Sequence, residues 1–328
     1  MQSALHRPDP NIQRKAAIAR GRAADHAGSV DVEPIADFDL NRTIFQTLEG
    51  AAARYVMKTR VGKEVRWRPP AARQITSEYD DTLGGNPLPA IDQALLTFMV
   101  DECNFDVEHA DGSFLDHLYF CFEYTAHHYP QGSPVVMLLH SILGTGTNTF
   151  AMTADKMDRL RALVTEADWA HIESFPSVLR LLYAIDLREE LRDRLNQLDR
   201  LAGIRMHRVI DNAPIELTAD QLWEGLNYQL IHLIDFLPVA NWSAHANDTA
   251  FILFRDLWDL LERAGKRDFA LEYVPATGPK VLEGEQTTLG GWLTTRIPVS
   301  ISEVMAGSSV RRFSEQCGHD ISYQLVWR

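Results

Sequence analysis

Residues 114–145 read FLDHLYFCFEYTAHHYPQGSPVVMLLHSILGT, and this stretch decides the fold. From Phe114 to about Tyr129 the apolar residues suit a helix, which Ser113 or Asp111 can cap. Pro130-Gln131-Gly132-Ser133-Pro134 is turn chemistry. Val135–Leu143 then reads as a second, fully apolar helix broken only by His140 and Ser141, and Gly144-Thr145-Gly146-Thr147-Asn148 ends it. His117 stands beside Leu115 and Leu118, and His140 follows five apolar residues. An imidazole buried among such neighbours must satisfy both ring nitrogens or bind a metal through one of them. His117 and His140 therefore mark a candidate pocket in a helical core.

Working outward, the chain is read as mostly helical. Towards the N-terminus, Ile44, Phe45, Leu48, Ala52 and Tyr55 predict a helix over Arg42–Tyr55. Val61–Pro70 is a short strand or an extended connector, residues 71–88 a loop, and Pro89–Glu102 a helix. Towards the C-terminus, Thr153–Thr165 and Glu166–Tyr183 carry helical patterns. Asp186–Leu201 has acid–base pairs at i,i+3 and i,i+4 and reads as a solvated helix or connector. Thr218-Ala219-Asp220-Gln221 starts a helix with the apolar stripe Leu222, Leu226, Leu230, Leu233, Ile234 and Leu237, which Pro238 stops. Another helix spans Thr249–Ala264. Beyond Gly265 the texture changes, with β-like runs at Ile297–Ile301 and Ile321–Trp327. The expected organisation is a loosely ordered tail over 1–36, a helical domain over 37–264 and a small mixed α/β segment over 265–328.

The 328 residues are 45% hydrophobic, so a sizeable core is available. A net charge of −13 disfavours a nucleic-acid partner. No run of 18 apolar residues predicts a membrane span. The N-terminus lacks the apolar core of a secretory signal, and three scattered cysteines fit a reducing compartment, so a cytoplasmic location is expected. Cys121, inside the run Tyr119-Phe120-Cys121-Phe122, reads as a small buried hydrophobe.

The order Phe114-Leu115-Asp116-His117-Leu118, then Leu138-Leu139-His140-Ser141-Ile142-Leu143-Gly144-Thr145, resembles the HD-domain superfamily. More narrowly it is similar to an HD-like family with a His-Ser signature. The likeness covers roughly residues 112–238. It implies an HD-like helical core in which consecutive helices bring histidines and aspartates onto one metal, the last core helix adding a carboxylate. On that helix His232 and Asp235 are one turn apart. The resemblance thus gives His117, His140 and His232 as ligands of a divalent metal (iron, zinc or manganese), with His117, His140, Ser141 and Asp235 as the catalytic set. Ser141 departs from the superfamily, where an aspartate follows the second histidine. Three functions follow. One is a metal-dependent hydrolase of a small molecule. A second is a non-haem iron oxygenase on the same histidines. The third is a metal-free small-molecule-binding or scaffold protein. The sequence leaves the oligomeric state open. His127-His128 reads as a helix C-terminal cap, the 144–148 loop as a helix end rather than a phosphate cradle, and Cys317-Gly318-His319-Asp320 as a turn.

Overall fold

The computed structural model describes residues 30–43, 45, 48, 50–83, 89–103, 108–109, 112–147, 152–237, 247–271 and 289–328. Most of the expected tail, Ile44, the Gly84–Pro87 turn, Asp111, Asn148 and Pro238 lie outside the described residues. The protein is mostly α-helical, as the sequence predicts.

In the N-terminal part, β1 (Val30–Pro34) pairs antiparallel with β2 (Lys63–Trp67), Val32 opposite Val65. The helix expected over Arg42–Tyr55 is corrected. Asp39 accepts from the Asn41 N–H at 2.9 Å and caps a single 3-10 turn, and α1 (Ala51–Val61) starts only after Gly50. Tyr55 faces solvent rather than the core. The loop expected over 71–88 is also corrected, because α2 runs Pro69–Leu83. Pro69 and Pro70 sit in its first turn, where a missing N–H costs nothing. Ala71, Ile75 and Tyr79, spaced at i,i+4, are buried. That stripe outweighs the turn-like Asp80-Asp81 pair.

Next come α3 (Gln93–Thr97), which Asp92 caps and which passes into a π turn, and a small hairpin of β3 (Glu108–His109) and β4 (Gly112–Ser113). The deciding stretch forms α4 (Phe114–His128) as expected, but the helix expected over Val135–Leu143 is corrected: α5 (Pro134–Leu139) is closed by His140, and the chain turns over Ser141–Leu143, where the Ile142 N–H donates to the Leu139 carbonyl at 2.9 Å. The turn between α4 and α5 is held tightly. A Cβ on Gly132 would lie 2.2 Å from the Tyr129 ring, and the Ser133 N–H donates to the Tyr228 hydroxyl at 2.7 Å.

After α6 (Met157–Arg161), α7 (Glu166–Tyr183) opens on Thr165, whose hydroxyl accepts from the Asp168 N–H at 3.1 Å. The charged helix α8 (Asp186–Asp193) corrects the expectation of a solvated connector. Leu187, Leu191 and even Arg188 are buried. The Arg188 guanidinium bonds Asp256 and donates to the Leu182 carbonyl at 2.8 Å. Its long stem covers apolar surface while its head finds a carboxylate, so charge along the sequence conceals a packed face.

A three-stranded antiparallel sheet follows, in the order β6 (Pro214–Thr218), β5 (Leu201–His207), β7 (Gln324–Trp327). Sequence reading found β7 but missed its two partners. At Gly203 a Cβ would meet the Leu217 carbonyl oxygen at 2.2 Å, so the approach of β5 to β6 there requires glycine. The β-like reading of Ile297–Ile301 is corrected. Val299 opens α12 (Val299–Gln316), which follows the short α11 (Leu289–Thr294). β-Branched residues lower helix propensity only slightly, and α12 packs on α7, with Gly307 close to the Tyr183 carbonyl.

At the centre stands α9 (Ala219–Ile234), packed against α4, α7, β5 and α10 (Thr249–Ala264). It is buried nearly all round, the state expected of an apolar helix with no polar face. Thr218 and Gln221 form a reciprocal capping box at its start. Thr218→Ala should lower stability by about 1 kcal/mol, read as a shift of the urea midpoint with an unchanged slope.

Candidate metal centre

Helices α4, α5 and α9 converge on one point. His117 comes from the first turn of α4, His140 from the end of α5, and His232 and Asp235 from the end of α9. All four are buried, His140 completely. Their rings meet edge to face, with centroids 5.0 Å apart for His117–His140, 5.1 Å for His117–His232 and 4.9 Å for His140–His232. Phe175 of α7 packs on His140 and His232, and Phe236 on His117 and His232. Phe175 is itself fixed, because the Gln229 amide on α9 donates to its carbonyl at 2.9 Å beside the helix-interior Pro176.

The hydrogen bonds decide what these rings can do. His140 Nδ1 lies 2.6 Å from the Met137 carbonyl oxygen. A carbonyl only accepts, so Nδ1 carries the proton and neutral His140 presents a lone pair at Nε2. His117 Nδ1 lies 2.6 Å from Asp235 Oδ2. With that nitrogen donating to the carboxylate, neutral His117 presents its own lone pair at Nε2. The two Nε2 atoms face each other at 3.0 Å. Two lone pairs at that distance repel unless a proton or a cation lies between them.

The arrangement fits a metal. Histidine ligands commonly donate their outer N–H to a carboxylate or a backbone carbonyl, and here one does each. Metal–nitrogen bonds of about 2.0–2.1 Å at a tetrahedral angle would separate the two nitrogens by ~3.3 Å, close to the spacing found. Asp235 thus acts through His117 Nδ1. Ser141 is buried directly after His140, and its carbonyl accepts from the Gly144 N–H at 3.1 Å.

Sequence reading missed one member. His117, Cys121 and His140 form a fully buried group whose donor atoms all lie within 4.8 Å of one another, and which could hold a metal ion. The signal was present: positions i and i+4 of one helix share a face, and His117 and Cys121 are so spaced on α4.

The remaining candidates make contacts of other kinds. His128 stacks on Tyr124 at 4.5 Å in the last turn of α4, and burial lowers the pKa of His127. The loop after His140 is anchored by Arg180, whose Nε–H donates to the Thr145 carbonyl at 3.0 Å. Gly318 turns the chain with φ 68°. His319 then uses both ring nitrogens, one 3.2 Å from Arg180 Nη1 and one 3.0 Å from the His207 carbonyl, while Cys317 is exposed. No Cys/His catalytic pair forms there. Among the described residues no helix is long and apolar enough to cross a membrane.

Burial pulls the pKa of His140 down to about 4. An unfolded histidine titrates near 6.5, so between these values the unfolded state binds more protons. Stability of metal-free protein should therefore be complete above pH ~6.5 and fall as pH drops to about 4. The loss is on the order of 3 kcal/mol. Urea melts across that range should show the slope in wild type and lose it in His140→Leu.

Comparison with known proteins gives no match to a family model, a curated protein or a solved structure. What the fold and site define is a mostly helical protein with a buried histidine–cysteine cluster able to hold a metal.

Proposed function

We propose that this protein is a metal-dependent enzyme acting on a small molecule, with an HD-like helical core, and that His117 and His140 hold the metal through their Nε2 atoms. The observation that carries the reading is the 3.0 Å approach of these atoms, each on a ring whose other nitrogen faces an acceptor. The order of the parts supports the HD-like reading: a histidine on one helix, a second on the next, and a carboxylate at the end of the last core helix.

The favoured reaction is hydrolysis of a phosphate or similar ester. A bound divalent metal supplies Lewis acidity and a bound water of lowered pKa. Asp235 holds the His117 ring in place and keeps its proton on Nδ1. The Met137 carbonyl does the same for His140. Phe175 and Phe236 exclude bulk water from both rings, which strengthens every charge interaction inside.

The test is metal content of the full chain purified without chelator, followed by hydrolysis assays on small phosphate esters. One equivalent of a divalent metal is expected, and stripped protein should take up one equivalent of added zinc. Protein that neither carries nor takes up metal would overturn the metal centre. A loaded protein inert towards every ester would overturn the hydrolase assignment alone.

A further inference from the structure

We infer that Cys121 is the third protein ligand of this centre, making it a thiolate–imidazole site that selects a borderline metal such as zinc or ferrous iron over magnesium or manganese. The inference rests on the metal centre proposed above and names its chemistry.

Three observations carry it. First, α4 places Cys121 one turn beyond His117, on the same face. Second, the donor atoms of His117, Cys121 and His140 already lie within 4.8 Å of one another. Metal bonds of about 2.3 Å to sulfur and 2.0–2.1 Å to nitrogen would set each N···S separation at ~3.6 Å, so closing the site needs shifts of an ångström or so. Third, His232, the ligand expected from sequence, is not among the donor atoms that lie within 4.8 Å of one another. Its ring packs edge to face on both histidines, on Phe175 at 5.4 Å and on Phe236 at 5.2 Å.

The ligand set has consequences. Thiolate donors suit zinc and iron, whereas magnesium and manganese prefer oxygen. Ser141, directly after His140, offers no carboxylate to a metal, and Cys121 offers a soft sulfur donor. The thiol proton leaves to solvent as the sulfur–metal bond forms. Three protein ligands leave a fourth position, the pattern of catalytic rather than structural zinc sites.

The experiment uses the full chain, stripped of metal and titrated with cobalt(II). Wild type should develop both the visible d–d bands of a low-symmetry site and the near-ultraviolet thiolate-to-cobalt charge-transfer band. His232→Ala should keep both. Cys121→Ser should lose the charge-transfer band and bind zinc at least ~100-fold more weakly, beyond the 10–100-fold typical of an outer residue, with manganese binding little changed. Because the wild-type spectrum needs no variant, a Cys121 replacement that misfolds does not spoil the test. Cobalt bound with d–d bands but no charge-transfer band would overturn the thiolate while leaving the metal centre standing. Absence of any cobalt binding would overturn both.

Discussion

His140→Ala should reduce bound metal from one equivalent to under about a tenth, because a site with so few protein donors cannot hold a divalent ion after losing one. His117→Ala should do the same. The two differ in what else they disturb. His140 is completely buried and its Nδ1–H satisfies only the Met137 carbonyl, so its loss leaves a cavity and one unpaired carbonyl. His117 bridges Asp235 and His140, so its loss removes two buried polar contacts, one of them to a carboxylate, a larger penalty. Metal-free His117→Ala should accordingly be the less stable variant by urea melt. Asp235→Asn is the finer probe. It leaves both Nε2 donors in place and weakens only the bond that orients His117, so zinc affinity should fall about 10–100-fold without vanishing. Equal loss of metal in Asp235→Asn and His117→Ala would show that Asp235 is itself a ligand.

Much of the fold was legible because it is written in local periodicity. The helices over 114–128, 166–183, 219–234 and 249–264 each carry a 3.6-residue apolar stripe bounded by a cap, a proline or a glycine, and the short helix over 134–139 is wholly apolar behind Pro134. The β5–β6 pair was not legible. Leu201–His207 alternates imperfectly, with Leu201, Gly203, Ile204 and Met206 buried and Arg205 exposed, because the strand is covered by α9 on one face and its register against β7 shifts near Gly203. One of its two strand partners, β7, lies more than a hundred residues away. The candidate site divides in the same way. His117 and His140 stood out as polar residues in apolar helices. Cys121 did not, since a buried cysteine among aromatics looks like any other small core residue. Only the position of His140 across the α4–α5 turn distinguishes it.

Arg180→Met is expected to cost about 3 kcal/mol of stability, and Arg180→Lys should not rescue it. Among the described residues Arg180 is the largest fully buried side chain, and it joins parts distant in sequence. From α7 it reaches the Thr145 carbonyl at 3.0 Å, Ser314 Oγ at 3.2 Å and His319 Nδ1 at 3.2 Å, with its guanidinium 5.3 Å from the Phe313 ring. Burial lowers its pKa only to about 10, so it remains charged at neutral pH. Methionine matches its length but removes the donors that Thr145, Ser314 and His319 share. Lysine keeps a charge but has no planar fork, so it cannot meet partners on three sides and leaves an ammonium poorly solvated. A guanidinium chloride melt should show both variants shifted to a lower midpoint, lysine at least as far as methionine. Because Thr145 lies five residues beyond His140, the same variants should also loosen the metal centre, seen as faster loss of bound metal to a chelator. A lysine variant of wild-type stability would mean that the charge alone, and not the three-way fork, ties the C-terminal helix to the loop behind the site.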